Sequence, residues 1–312
     1  MPIPFNSFSP FLSRPAALAL LSTAWLAGCG GGGSDSDVTP VPTTMRVTSA
    51  SAETPVYGQS LHITVQGELL DQGLTPVSTA CKTLQPAATT QYASSATTLH
   101  YLCDVQSVGN QTMELRRTDT GAVLHTLNFT VSLPQVTMAV SNGAGVNGDV
   151  VFTLRPDLAP ITVNNFLAYV RSGFYDNTVF HRVQTNFVVQ GGGYPSPVVA
   201  GTVPTHKTTN AAITLEAGNG LSNVQWSVAM ARTSAANSAT SEFFINLKDN
   251  SASLDKTTAN AGYAVFANVT AGTDVVSAMT SAPCQTITGF VSSALGCVPI
   301  PNVVVSTARQ TR

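Results

Sequence analysis

Charged side chains are scarce in this 312-residue chain: Lys and Arg total 14 and Asp and Glu 16, for a net charge of −2. The basic residues form no run longer than the pair Arg116-Arg117, so the chain lacks the electrostatic footprint of a nucleic-acid binder and a basic face for an anionic bilayer. No apolar run is long enough to cross a membrane as a helix in its own right. HExxH, GxSxG and phosphate-loop patterns are all missing, and the three glycines at 191–193 do not open a helix. Those absences exclude the common zinc-protease, serine-hydrolase and nucleotide chemistries, and they call for neither a metal nor a cofactor. The scarcity of charge does not imply disorder, because 43% of the residues are hydrophobic, a globular balance.

The N-terminus holds Arg14, an apolar stretch at 16–26, and then Leu26-Ala27-Gly28-Cys29. This is the layout of an export signal, expected to occupy residues 1–28. Its last four residues resemble a bacterial lipobox, which implies a lipidated Cys29 as the mature N-terminus and attachment to the membrane by that anchor alone. Gly30 follows where an aspartate would favour inner-membrane retention, so the expected location is the periplasmic face of the outer membrane. A Gly/Ser/Asp/Pro-rich tether then brings the linker to residue 44. Setting Cys29 aside leaves Cys81, Cys103, Cys284 and Cys297, an even number in an exported chain. None has a CxxC metal or redox spacing. Three pairings are open; Cys81 with Cys103 and Cys284 with Cys297 keeps each bridge within one domain, the second worth about 3 kcal/mol in the chain-entropy model.

Short alternating runs recur through residues 45–134, among them LHITVQG, TLHYLCDV and QTMELRR, with turns such as Gly109-Asn110 between them. This pattern predicts a small antiparallel β-sandwich of immunoglobulin-like type, although no tryptophan lies between its two cysteines. His62, His100 and His125 fall on separate strands without metal-like spacing, and nothing in the segment identifies its partner. Leu133-Pro134 marks the boundary, and residues 135–312 form the second domain. Strands at 137–141 and 149–155 flank the turn NGAGVNG. Val163, Phe166, Leu167 and Val170 then repeat at helical spacing after Pro160, with Gly173 as the stop.

The most informative run is FYDNTVFHRVQTNFVVQGGG at 174–193. Two strand-like segments, 178–183 and 187–190, would bring Arg182, Phe187 and Gln190 to one surface if they paired. A guanidinium carries five donors and cannot transfer protons at neutral pH, so an arginine on an apolar wall suggests hydrogen bonding to a substrate. Further strands are expected at 227–231, 242–247 and 263–269, a short helix at 273–279 and a last strand at 303–307. His206 and Lys207 read as surface, and His181 as a packed barrel histidine.

In order, FYDNTVFHRV, NFVVQGGG, VAMAR, SATSEFFINL and YAVFANV resemble the cyclophilin family of peptidyl-prolyl isomerases across about residues 136–308. The resemblance implies a mainly β chain whose second domain is an eight-stranded closed antiparallel barrel capped by two helices, acting without a cofactor on proline-containing polypeptides. It puts the catalytic arginine at Arg182. It places substrate contacts at Phe187, Val188, Gln190, Ala231, Arg232, Phe244, Leu254 and Tyr263. Glu242 takes a contact position where relatives usually carry glutamine. Val188 stands where methionine is common, Tyr263 where histidine is, Trp226 where a small residue is, and Ser253 where some relatives have an aromatic. An ionised Glu242 cannot donate, and it is expected to hold Arg182 in an ion pair, so that Glu242→Gln would raise turnover. Two readings follow: an isomerase assisting exported proteins, or a binding module of the same fold with little turnover.

Overall fold

The computed structural model describes residues 43–87, 90–291 and 294–312. The signal segment 1–28, Cys29 and the linker up to residue 42 lie outside them. Seven strands come first: β1 (Arg46–Ala52), β2 (Ser60–Glu68), β3 (Leu74–Val77), β4 (Cys81–Pro86), β5 (Thr98–Val105), β6 (Gly109–Arg117) and β7 (Val123–Val131). They form two antiparallel sheets, β1-β2-β5-β4 and β3-β6-β7. The alternation seen in sequence puts Leu61, Ile63 and Val65 of β2 and Met113 and Leu115 of β6 inside. Cys81 and Cys103 are bonded, joining β4 to β5.

The remaining strands are β8 (Gln135–Ser141), β9 (Asn147–Leu154), β10 (Thr178–Gln184), β11 (Val188–Pro195), β12 (Ser227–Met230), β13 (Phe243–Asn246), β14 (Val265–Ala271), β15 (Cys284–Gln285), β16 (Val298–Pro299) and β17 (Val303–Gln310). Eight of them close into an antiparallel barrel in the order β10-β11-β13-β12-β14-β9-β8-β17, with β17 returning to β10. The interior is aromatic. Phe152, Phe180, Phe243 and Phe266 are fully buried, and Phe166 meets Phe243 edge-on at 5.7 Å.

Helix α1 (Pro160–Arg171) closes one end through Val163, Phe166, Leu167 and Val170, the stripe read from the sequence. Its first turn has no local side-chain cap. Instead Glu216 accepts hydrogen bonds from the main-chain N–H groups of Ile161 and Thr162 at 3.1 and 2.7 Å, setting a negative charge on the positive end of the helix. A one-turn helix α2 (Ser251–Leu254) and helix α3 (Thr273–Ser281) complete the described helices, apart from a 3-10 turn at Leu70–Gln72. The sequence reading anticipated α1 and α3 but not α2, whose four residues are too few to show a period. It also missed β3 and β4, which carry Pro76 and Pro86.

The N-terminal sheets are bonded to the barrel. Tyr57 Oη donates to Asn164 Oδ1 on α1 at 3.0 Å. The Tyr57 carbonyl accepts from Arg171 Nη2 and Gln310 Nε2 at 3.0 and 3.1 Å.

Candidate functional site

Strands β10 and β11 pair so that Arg182 lies directly across from Gln190. Phe187 sits at the turn between them, where Asn186 takes a left-handed φ of 59°, a conformation asparagine tolerates better than most residues. The Phe187 main chain is fixed from three sides: its N–H donates to Gln184 O at 3.0 Å, and its carbonyl accepts from Leu247 N and Asn250 Nδ2, each at 2.9 Å. Beside it opens a cavity of about 330 Å³ lined by Arg182, Phe187, Val188, Gln190, Ala231, Arg232, Phe244, Leu254, Tyr263 and Leu295.

The cavity floor is a small apolar cluster of Val188, Ala229, Phe244, Leu254 and Val265. Phe244 comes from β13 and meets the Tyr263 ring edge-on at 5.4 Å. Leu254 comes from α2 and is tied to the Tyr263 main chain by Tyr263 N donating to Leu254 O at 2.9 Å. Arg232 stacks its guanidinium over Tyr263 at 4.6 Å while its Nε donates to Gly262 O at 2.9 Å. The Ala231 N–H is committed to Glu242 O at 2.9 Å.

Arg182 is half-buried, and burial lowers its pKa from the ordinary arginine value. Its nitrogens have separate partners: Nε donates to Leu295 O at 2.6 Å, Nη1 to Gln190 Oε1 at 3.0 Å and Nη2 to Gln184 Oε1 at 2.7 Å. Of the five N–H donors of a guanidinium, one on Nη1 and one on Nη2 therefore have no partner among the described residues.

Nine of the ten site residues expected from sequence thus surround one cavity, and Glu242 does not. It lines the adjoining hollow with Gln190, His206 and Arg232. The expected ion pair with Arg182 is not formed, because Gln190 stands between the two and the Glu242 oxygens are engaged by Gln190 and His206, with His181 beside them. Glu242 Oε2 accepts from Gln190 Nε2 at 2.7 Å and lies 3.3 Å from His181 Nε2, while Oε1 lies 2.9 Å from His206 Nε2. Burial alone would raise the Glu242 carboxyl. Hydrogen bonding from His181, then His206 and Gln190, with the His181 charge, drives it well below the usual carboxylate range.

A carboxylate can only accept and a guanidinium can only donate. Both neighbours of Gln190 therefore demand the same orientation: amide nitrogen toward Glu242, amide oxygen toward Arg182. Gly193 leaves room for this arrangement, since a Cβ there would come within 2.6 Å of Glu242 Oε1. At Gly192 the φ of 88° and a Cβ position 2.9 Å from Ser241 O impose the same requirement.

His206 and Lys207 are not the free surface residues the sequence suggested. His206 packs edge-on to Tyr194 at 4.9 Å, and its Nδ1 lies 2.7 Å from Lys207 O. With a carbonyl on one ring nitrogen and a carboxylate on the other, both must carry protons, which is the cationic form; the hydrogen bond to Glu242 raises its pKa above the ordinary histidine value. Lys207 places Nζ 4.5 Å from the centre of the Phe174 ring and donates to Phe174 O. His181 is packed, 4% exposed, with Tyr194 edge-on at 4.8 Å.

Sequence reasoning missed Leu295, Gln184 and His206. Gln184 had a usable signal, lying two residues from Arg182 on the same face of β10. Leu295 had none, since it reaches the site from a segment 113 residues further along the chain.

The site is an apolar-floored cavity beside a guanidinium held at all three of its nitrogens, built to seat an apolar group and to donate hydrogen bonds next to it. The family model described as cyclophilin type peptidyl-prolyl cis-trans isomerase/CLD matches residues 135–308. The chain is 45% identical over 164 residues to the peptidyl-prolyl cis-trans isomerase cyp18 of Streptomyces antibioticus, covering 52% of this chain and 92% of that protein. It is 46% identical over 132 residues to peptidyl-prolyl cis-trans isomerase B of Escherichia coli (strain K12), covering 42% and 77%. A solved Cryptosporidium parvum cyclophilin type isomerase gives a TM-score of 0.43 at 20% identity, covering 57% of this chain and 98% of that one. On the family match and the two sequence relatives, the chain belongs to the cyclophilin-type peptidyl-prolyl cis-trans isomerase family, and its barrel is an isomerase domain of that type.

Proposed function

We propose that the barrel isomerises X-Pro bonds in exported polypeptides, with Arg182 as the catalytic residue. Rotation about an X-Pro bond must break amide resonance, a barrier of about 18–20 kcal/mol, and needs no bond to be made or cleaved. A catalyst has only to hold the proline and stabilise the twisted amide more than either planar form. Phe187, Phe244, Leu254 and Tyr263, with Val188 beneath them, offer the apolar seat for the ring, while Ala231 and Arg232 border the path of the peptide. As resonance is lost the lone pair localises on the prolyl nitrogen, and an N–H of Arg182 aimed there gains strength only in that state.

The observation that carries this reading is the guanidinium itself, pinned at Nε, Nη1 and Nη2 with two donors left over beside the apolar floor. What favoured a binding module with little turnover was capture of Arg182 by Glu242, and Glu242 is engaged elsewhere.

In the same proposal residues 29–44 tether the protein through lipid on Cys29 to the periplasmic face of the outer membrane. The two sheets of residues 45–134 act as an immunoglobulin-like sandwich that, bonded to the barrel through Tyr57, presents the isomerase domain of residues 135–312 to its clients. A coupled assay of cis-to-trans conversion on an Ala-Pro peptide tests the activity. Acceleration proportional to enzyme concentration is expected, and an uncatalysed rate at micromolar protein would overturn the reading.

A further inference from the structure

We propose that the turn at Leu295, Gly296 and Cys297 is a positioning element for Arg182, clamped by the Cys284–Cys297 disulfide, and that it acts on turnover rather than on peptide binding. The inference deepens the isomerase reading above and rests on it.

The turn is built onto the strand that carries the arginine. Val183 N donates to Cys297 O at 2.8 Å and Cys297 N to Val183 O at 3.0 Å, so residue 297 pairs with the neighbour of Arg182. Cys297 is in turn bonded to Cys284, whose strand β15 pairs with β16 just beyond. Ile287, Val291 and Val298 bury themselves against Val179 of β10 and Val198, fastening the segment to the outside of the barrel. Gly296 has a φ of 119°, and a Cβ there would meet Val183 O at 2.4 Å, so only glycine lets the turn lie this close. The outcome is that the Leu295 carbonyl reaches the Arg182 Nε–H at 2.6 Å.

This bond complements the other two. Gln190 and Gln184 hold the outer nitrogens through flexible side chains, whereas Leu295 offers a main-chain acceptor at the inner nitrogen. With all three made, the guanidinium plane is set; without the third, the group can swing about its last aliphatic bonds. The Leu295 side chain is itself 51% exposed, so the turn's contribution to the core comes from its neighbours rather than from this residue. A positioning role therefore separates from a packing role. Preorganised donors act on the transition state, and loosening one lowers kcat while the apolar seat continues to bind the proline.

Two perturbations reach the turn by different routes. Gly296→Ala forces it off β10; Cys284→Ser/Cys297→Ser, or dithiothreitol on the parent, opens the clamp and leaves the two main-chain bonds. We expect kcat to fall about tenfold in Gly296→Ala, the effect of weakening one charge-assisted hydrogen bond, and about threefold when the clamp is opened, with KM within about twofold of the parent. Cys81→Ser/Cys103→Ser, which opens the bridge between β4 and β5, should leave both constants unchanged. In 15N NMR the Arg182 Nε–H should be protected and dispersed in the oxidised parent and join the exchange-averaged arginine signals in the perturbed forms. Parent-level kcat in both perturbed proteins, or equal proportional losses through kcat and KM, would overturn the proposal. So would an Arg182 Nε–H signal that is averaged already in the oxidised parent. The NMR arm does not depend on turnover, so an inactive parent with a protected Nε–H would sink the isomerase reading while leaving the clamp geometry standing.

Discussion

Replacing Glu242 by glutamine perturbs a charge held by three partners, and the size and pH dependence of the effect can be worked out in advance. Glu242 accepts from Gln190 Nε2 at 2.7 Å and from His206 Nε2 at 2.9 Å, with His181 Nε2 3.3 Å away. A hydrogen bond to a buried charge contributes about 1.5–3 kcal/mol. The His206 pair, about a third exposed on the histidine side, is reduced by solvent screening to about 1 kcal/mol. Glutamine keeps one accepting oxygen, so the loss of stability near pH 6 should be about 1–3 kcal/mol. Glu242 is held below the usual carboxylate range, so its contribution is present above about pH 4.3 and lost as pH falls through the folded value. His206 is held above the usual histidine range, so its contribution is complete below about pH 6.5 and lost as pH rises through the folded value. The gap between parent and variant should therefore be widest between about pH 4.5 and 6.5 and narrow toward pH 9. Urea unfolding of both proteins across that range measures it. A gap that does not vary with pH, or a variant more stable than the parent at pH 6, would refute the reasoning. Turnover should not rise in the variant, because Glu242 does not hold Arg182; a gain of several-fold would restore the ion pair expected from sequence.

Phe244→Ala removes the aromatic floor of the cavity, a side chain only 4% exposed, and should raise KM at least about tenfold with a smaller change in kcat. Steady-state kinetics separates the two constants, and an unchanged KM would place the proline elsewhere. Cys29→Ala should move the protein from the membrane fraction to the soluble one and remove the lipid mass from its N-terminus; recovery of unmodified parent in the soluble fraction would discard the anchor.

How far the sequence was readable depends on how far apart in the chain the interacting residues lie. The β10–β11 hairpin was legible because β-branched and aromatic residues fill both arms, so the juxtaposition of Arg182 and Gln190 followed from pairing alone. Helix α1 was legible because its apolar residues keep the helical period. Helix α2 was not, having a single turn, and neither was β4, where Pro86 closes a strand of only six residues. The chemical type of Glu242 was evident, but its partners were not. They come from β10, β11 and a loop after the glycines, and nothing local indicates that two histidines converge there. His206 looked like surface for the same reason: its neighbours in sequence are polar, whereas its neighbours in space are Tyr194 and Glu242.

The central claim is that Arg182 stabilises the twisted amide rather than gripping the peptide. Its test is the pair Arg182→Ala and Arg182→Lys, with kcat and KM measured separately on one X-Pro peptide. Removing a preorganised donor at a transition state commonly costs about 2.7–4 kcal/mol, so kcat should fall about a hundredfold or more in Arg182→Ala, with KM little changed because Phe187, Phe244 and Leu254 remain. Lysine should recover only part of the loss, since a compact ammonium cannot reach Leu295, Gln190 and Gln184 together as the planar fork does. An unchanged kcat in Arg182→Ala, or a loss expressed wholly through KM, would contradict the claim.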